Sequence, residues 1–139
     1  MVAELISPID AIDHDPDFTH IVAAGSRGDN LLATSSTNGK VFIWDLEKIE
    51  YYETRYEQHK RSATAVAFHW TDPNTLISGS KDTCIWLYDL RTSEPVLKFG
   101  GTFDSIRDLT FLRNQDQTNL FMTADDGGTV RIWDMRKND

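Results

Sequence analysis

Short runs of alternating apolar and polar residues, separated by polar turns, recur along this chain. Thr64-Ala65-Val66-Ala67-Phe68 and Arg107-Asp108-Leu109-Thr110-Phe111 alternate with the period of two expected of half-buried strands. Three longer phrases, over residues 32–46, 76–90 and 122–135, pair one strand with a second that closes on an aromatic residue and an aspartate. Those closing pairs are Trp44-Asp45, Tyr88-Asp89 and Trp133-Asp134, so the repeat length is 44 and then 45 residues. A single such pair carries little information, whereas three in register define a repeat. No stretch shows a 3.6-residue apolar period with caps at both ends, so little helix is expected.

A period of roughly 40–45 residues fits a four-stranded antiparallel unit, the blade of a β-propeller. The sequence predicts an all-β fold with blades over about 19–56, 62–99 and 105–134, preceded by an acidic approach segment over 1–18. The innermost strand of the first blade is placed near Thr19–Ala24, and the outer strands at Tyr51–Tyr56 and Pro95–Phe99. Asn38-Gly39, Asp82-Thr83 and Asp126-Gly127-Gly128 form the turns between the second and third strands, where these residue types tolerate tight hairpins. The third turn is expected to be one residue longer, accounting for the change in period. Val41/Ile43, Ile85/Leu87 and Val130/Ile132 should face a neighbouring sheet, with Trp44, Tyr88 and Trp133 on the opposite side. Propellers close with roughly 4–8 blades, and the third blade here lacks an outer strand. The chain is therefore expected to be part of a longer protein, exposing Val130 and Ile132 or their opposite-face partners, and not to be a stable isolated monomer.

Composition narrows the function. Fourteen basic against 22 acidic side chains give a net charge of −8, which argues against a nucleic-acid surface built on clustered Lys and Arg. The one cysteine, Cys84, can form neither an internal disulfide nor a cysteine-based zinc site. The N-terminus has no basic, apolar signal pattern, and no apolar run reaches membrane-spanning length. A soluble, intracellular protein without cofactor is the expectation.

Four candidate chemistries can be weighed on the residues alone. Ser78, His59 and Asp82 have the residue types of a nucleophilic triad, but the repeat buries them between strands, where no substrate reaches. Asp13-His14-Asp15 with His20 could hold a metal only if ordered elements brought them together, so a solvated loop is the better reading. Arg27-Gly28-Asp29 matches an integrin-binding tripeptide by coincidence. No phosphate-loop, dinucleotide or zinc-protease motif occurs. Trp70 and Trp86 lie outside the repeated aromatic-Asp position and are assigned no role.

From about residue 19 to 136 the chain resembles the WD-repeat family. That resemblance implies a buried polar network in the second blade, His59 with Ser78, Asp82 and Tyr88, the tyrosine standing in the tryptophan place. Gly101-Thr102 stands where Gly-His would occur in the third blade, and the first has Asn38 for the aspartate and no evident histidine. The runs Leu31-Leu32-Ala33-Thr34, Gln58-His59-Lys60-Arg61-Ser62, Leu76-Ile77-Ser78-Gly79-Ser80, Asp89-Leu90-Arg91, Ser105-Ile106-Arg107-Asp108 and Trp133-Asp134-Met135-Arg136 resemble more closely the propeller subunits of the SEA complex, called GATOR in animals. This second resemblance implies a non-catalytic scaffold of a multisubunit complex that regulates the TOR kinase in response to amino acids, in the cytoplasm or at the lysosomal or vacuolar surface.

Two alternatives stand beside it. Tyr88-Asp89-Leu90-Arg91 and Trp133-Asp134-Met135-Arg136 resemble the WD-x-Arg boxes of cullin-4 substrate receptors, in which Arg91 and Arg136 would grip a partner carboxylate; the competing reading pairs each with an acid of its own turn. The chain could also be the accessory propeller of an enzyme whose chemistry lies elsewhere. Lys60, Arg61 and Lys81 on the upper face are the remaining candidates for partner contact.

Overall fold

Among the described residues the alternating runs form eleven strands in three antiparallel sheets. The computed structural model describes residues 18–23, 31–45, 50–100, 104–114, 116 and 118–136. Asp13-His14-Asp15, the rest of the acidic segment before residue 18, Arg27-Gly28-Asp29 and Gly101-Thr102 lie outside the described residues. Blade 1 holds β1 (Phe18–Ala23), β2 (Leu31–Ser36), β3 (Val41–Asp45) and β4 (Glu50–Tyr56) in that spatial order. Blade 2 holds β5 (Ala63–Phe68), β6 (Thr75–Ser80), β7 (Cys84–Asp89) and β8 (Pro95–Gly100), also in sequence order. Blade 3 holds β9 (Ile106–Phe111), β10 (Leu120–Asp125) and β11 (Val130–Asp134). No helix occurs among the described residues.

The three turns between second and third strands have one length and one backbone, which corrects the expectation of a longer third turn. Gly39, Thr83 and Gly128 donate to Ser36, Ser80 and Asp125 respectively, each three residues back, and all three have positive φ. Asp82 is therefore matched by Asn38 in blade 1 and by Gly127 in blade 3. The length change lies elsewhere. Phe68 pairs with Leu76, but Phe111 pairs with Phe121, so the loop into the second strand is two residues longer in blade 3. The inner strands of blades 2 and 3 lie 43 residues apart, from Phe68 to Phe111, so with the longer loop the second strands lie 45 apart, from Leu76 to Phe121.

Apolar faces meet between successive sheets. Val41, Ile43, Ala33 and Tyr56 of blade 1 pack on Val66, Phe68, Leu76 and Tyr88 of blade 2. On the opposite face of blade 2, Ala65, Ile77, Ile85, Leu87 and Phe99 pack on Ile106, Leu109, Phe111 and Phe121. Aromatic edges sharpen this second contact: Phe99 meets Phe121 edge-on at 5.3 Å. Such pairs contribute about 0.5–1.5 kcal/mol beyond their area. The equivalent face of blade 3 behaves differently. Val130 and Ile132 are 65% and 64% exposed, because no sheet lies against them among the described residues.

A polar relay reinforces the apolar contacts. The Ser62 hydroxyl donates to the Thr37 carbonyl at 2.7 Å, and the Ser62 carbonyl accepts the Lys81 amide at 3.0 Å. The Ser105 hydroxyl then donates to the Lys81 carbonyl at 3.2 Å, and the Ser105 carbonyl accepts the Asp126 amide at 2.9 Å. Each blade thus hands a peptide dipole to the next through one serine. Along the inner strands Thr19 donates to the Ala63 carbonyl, and Thr64 to Ile106 at 2.6 Å.

Candidate functional site

Blade 2 brings four polar side chains together from four segments. His59 precedes β5, Ser78 lies in the middle of β6, Asp82 sits in the β6–β7 turn and Tyr88 near the end of β7. His59 Nδ1 lies 3.1 Å from Asp82 Oδ2 and 3.3 Å from Oδ1, while Nε2 lies 2.7 Å from Ser78 Oγ. Ser78 Oγ is in turn 2.8 Å from the Tyr88 hydroxyl. An ionised carboxylate can only accept, so Nδ1 carries the proton. The arrangement in which Ser78 donates to Nε2 and Tyr88 donates to Ser78 then gives every buried proton an acceptor. All four groups are satisfied with a neutral imidazole.

Asp82 is the anchor of this arrangement. Its Oδ1 accepts the Cys84 amide at 2.9 Å and its Oδ2 the Lys60 amide at 2.9 Å, so one carboxylate ties the turn to the segment entering β5. Burial works to raise its pKa, but the His59 contact and the two amides outweigh it and hold the carboxyl at about 2. Burial pushes the Tyr88 hydroxyl well above the ordinary tyrosine range, against the lowering effect of its bond to Ser78. Tyr88 stacks on Tyr56 with centroids 4.0 Å apart. Tyr56 donates onward to the carbonyls of Asp89 and Thr92 at 3.2 and 3.1 Å. Burial, then the charge of Asp89, raise the Tyr56 hydroxyl to about 12.

This geometry does not suit nucleophilic catalysis. Ser78 is fully buried, and its Oγ is already bonded to both His59 Nε2 and the Tyr88 hydroxyl. A reacting carbonyl would need an open position beside Oγ with oxyanion donors next to it, and the strand partners fill that space. The other blades repeat the inner half of the arrangement without the histidine. Trp44 Nε1 donates to Thr34 at 3.0 Å and Trp133 Nε1 to Thr123 at 2.9 Å. In blade 3 a buried aspartate, Asp125, replaces the serines at 36 and 80. It accepts from the Gly127 and Thr129 amides at 3.0 and 3.1 Å and pairs with Arg131. The Thr129 amide is the leading cause of its lowered pKa.

The candidate partner residues divide between two faces. On the upper face Lys60, Arg61 and Lys81 are exposed and make no ion pair among the described residues. Flanking cations are already paired, Lys40 with Glu57 at 3.4 Å and Arg107 with Asp126 at 2.6 Å. On the lower face Arg91 forks onto Asp89, Nε to Oδ1 at 2.9 Å and Nη2 to Oδ2 at 2.7 Å. Arg136 makes the same fork onto Asp134 at 3.0 and 2.8 Å. Each bidentate edge is thus engaged by the acid two residues back, and the Arg91 bond is the leading cause holding Asp89 at about 2.

Two histidines outside the network also have structural partners. His69 Nε2 donates to the Thr118 carbonyl at 2.5 Å, and its Nδ1 accepts the Thr71 and Asp72 amides at 3.1 and 3.0 Å. It thereby pins the loop after β5 to blade 3. His20, grouped in the sequence with candidate metal ligands, uses Nδ1 to accept the Val66 amide at 3.2 Å. Trp70 packs against the core between blades 2 and 3, its buried Nε1 without a partner among the described residues. Trp86 is half-buried under the Lys98 ammonium, 5.5 Å from the ring centroid.

Residues 7–139 match the β-propeller family described as the nucleolar protein 10-like N-terminal domain. The chain is 39% identical over 113 residues to the GATOR2 complex protein WDR24 of Danio rerio, covering 80% of this chain and 14% of that protein. The WDR24 of Homo sapiens is 36% identical over the same coverage. Histone acetyltransferase type B subunit 2 of Candida glabrata is 27% identical across 99% of this chain and 34% of its own length. The chain therefore spans about one seventh of the WDR24 relatives.

Proposed function

The chain belongs to the β-propeller family described as nucleolar protein 10-like, N-terminal domain, and from that membership we propose that it is a non-catalytic interaction scaffold. It would act as a WD-repeat subunit of a multisubunit complex regulating the TOR kinase in response to amino acids. The observation that carries the scaffold reading is the buried Ser78–His59–Asp82 network. Among the described residues, the one constellation with catalytic residue types is spent on holding a blade together, which leaves the loops at the blade ends to contact other proteins. The choice of complex rests on the 36–39% identity to the GATOR2 relatives. A cytoplasmic location, reaching the lysosomal or vacuolar surface through the complex, follows from that choice. The internal forks of Arg91 and Arg136 favour a structural role for those arginines over a cullin-4 adaptor contact.

The test is affinity purification of the tagged protein from its own cells, followed by mass spectrometry. The expected result is co-purification in fixed stoichiometry with other subunits of a TOR-regulating complex. Recovery with a cullin-4 adaptor, or with a catalytic subunit of another enzyme, would replace this reading.

A further inference from the structure

The β6–β7 turn of blade 2 carries a strain that the other two blades avoid. Thr83 has φ +71°, whereas the matching positions hold Gly39 at +85° and Gly128 at +82°. A β-branched residue in the left-handed region is a genuine outlier, and such strain persists where the surrounding structure over-determines it, as the Thr83 to Ser80 turn bond does here. Glycine would close this hairpin without strain, as it does twice in the same chain. The threonine instead provides a hydroxyl that makes no hydrogen bond among the described residues.

Three exposed cations with no ion pair among the described residues lie on the segments that meet at this turn. Lys81 is two residues before Thr83 in the same turn. Lys60 and Arg61 are held beside it because Asp82 binds the Lys60 amide and the Ser80 hydroxyl donates to the Arg61 carbonyl at 3.2 Å. The nearest carboxylate, Asp82, cannot neutralise them, since its side chain is 9% exposed and committed to His59 and two amides. On the blade 3 side of the same rim Asp104 is exposed, and Asp126, also exposed, is paired with Arg107 at 2.6 Å. Unpaired cations over blade 2, beside a blade 3 edge whose Arg107 is already neutralised by Asp126, favour a ligand whose acidic segment lies over blade 2. A nucleic-acid backbone, uniformly negative, would be repelled by Asp104 and by the net charge of −8.

We propose that Lys60, Arg61, Lys81 and the Thr83 hydroxyl form a docking site for an acidic peptide segment of a partner protein. This deepens the scaffold reading above and rests on it. The cations supply steering and register, and the hydroxyl supplies one hydrogen bond to a carboxylate or carbonyl of the peptide.

Fluorescence anisotropy of a labelled Glu-Ser peptide against the tagged protein purified from its own cells tests this, with a labelled single-stranded RNA as competitor class. The expected result is salt-sensitive peptide binding that weakens at least about tenfold, or 1.4 kcal/mol, in the combined Lys60→Glu, Arg61→Glu, Lys81→Glu variant. Thr83→Gly should raise the melting temperature and still weaken binding severalfold, while Thr83→Ser keeps most of the affinity. A purely structural threonine would give the melting shift with unchanged binding, and that result overturns the proposal. Peptide binding indifferent to the charge reversals, or a preference for the RNA, overturns it as well. Co-purification of the complex with both variants as efficiently as with the unaltered chain would leave the scaffold reading standing and remove only this site.

Discussion

His59 is tied to Asp82 through Nδ1, at 3.1 Å from one carboxylate oxygen and 3.3 Å from the other. This contact joins the segment entering β5 to a turn 23 residues further on, so blade 2 is closed at its upper end by a charge-assisted bond rather than by packing alone. Removing the acid leaves a buried imidazole donor and two backbone amides without their acceptor. Asp82→Ala should therefore cost about 1–3 kcal/mol, read as a lower denaturation midpoint at unchanged m-value.

The same carboxylate sets an acid limit. Its pKa lies at about 2, below the ordinary 3.8, so its folded form is favoured when ionised. The stability it contributes is fully present above pH about 4 and is lost as pH falls through about 2. Asp89 is also held at about 2, but its Arg91 partner is 69% exposed and solvent screens that pair. Thermal unfolding across this acid range should accordingly flatten far more in Asp82→Asn than in Asp89→Asn. Equal flattening would mean that burial does not set the two carboxylates apart.

Two glycines with nearly the same φ should respond differently to a methyl group. A Cβ on Gly39 would lie 2.5 Å from the His59 carbonyl oxygen and 2.7 Å from that of Arg61, whereas one on Gly128 would meet nothing within 4 Å. Gly128→Ala bears only the left-handed penalty, about 1–2 kcal/mol. Gly39→Ala adds a clash with backbone that cannot step aside, and should lose at least about 2 kcal/mol more. Equilibrium unfolding of the pair measures the difference directly.

The apolar face of β11 gives a prediction about association. Val130 and Ile132 present contiguous apolar surface of the kind that drives self-association. Val130→Thr with Ile132→Thr keeps β-propensity and should lower the sedimentation-detected oligomer fraction without lowering the melting temperature. A chain that is already monomeric at micromolar concentration would show that this face does not drive contact.

Much of this architecture is legible in the sequence because it is written in local pattern. The period-2 runs and the Trp44, Tyr88 and Trp133 positions locate all three third strands, and the tyrosine reaches Ser78 as the tryptophans reach Thr34 and Thr123. Turn length is misread from sequence because counting Gly127 as an insertion ignores the hydrogen bond that defines the turn, from Gly128 to Asp125. The burial of Asp125 is invisible for a related reason: its carboxylate is satisfied by turn amides and Arg131, an arrangement that replaces serine with no change in pattern. His69 escapes sequence reasoning because its decisive partner, the Thr118 carbonyl, lies 49 residues away on another blade. Its local half is readable, since a histidine just ahead of Asp72-Pro73-Asn74 is placed to accept turn amides. Val130 and Ile132 carry the same apolar pattern as Ile85 and Leu87, and pattern alone does not reveal whether a neighbour is present.

Ser78, His59 and Asp82 form a hydrogen-bonded network that one arrangement of protons satisfies in full, and on that claim the scaffold reading turns. Long-range nitrogen–proton NMR correlation of the His59 ring tests it most directly. The expected result is a single neutral tautomer with the proton on Nδ1, a bare Nε2 accepting from Ser78, and slow exchange of the Nδ1 proton with solvent. A ring protonated on Nε2, or one averaging between tautomers with rapid solvent exchange, would contradict it.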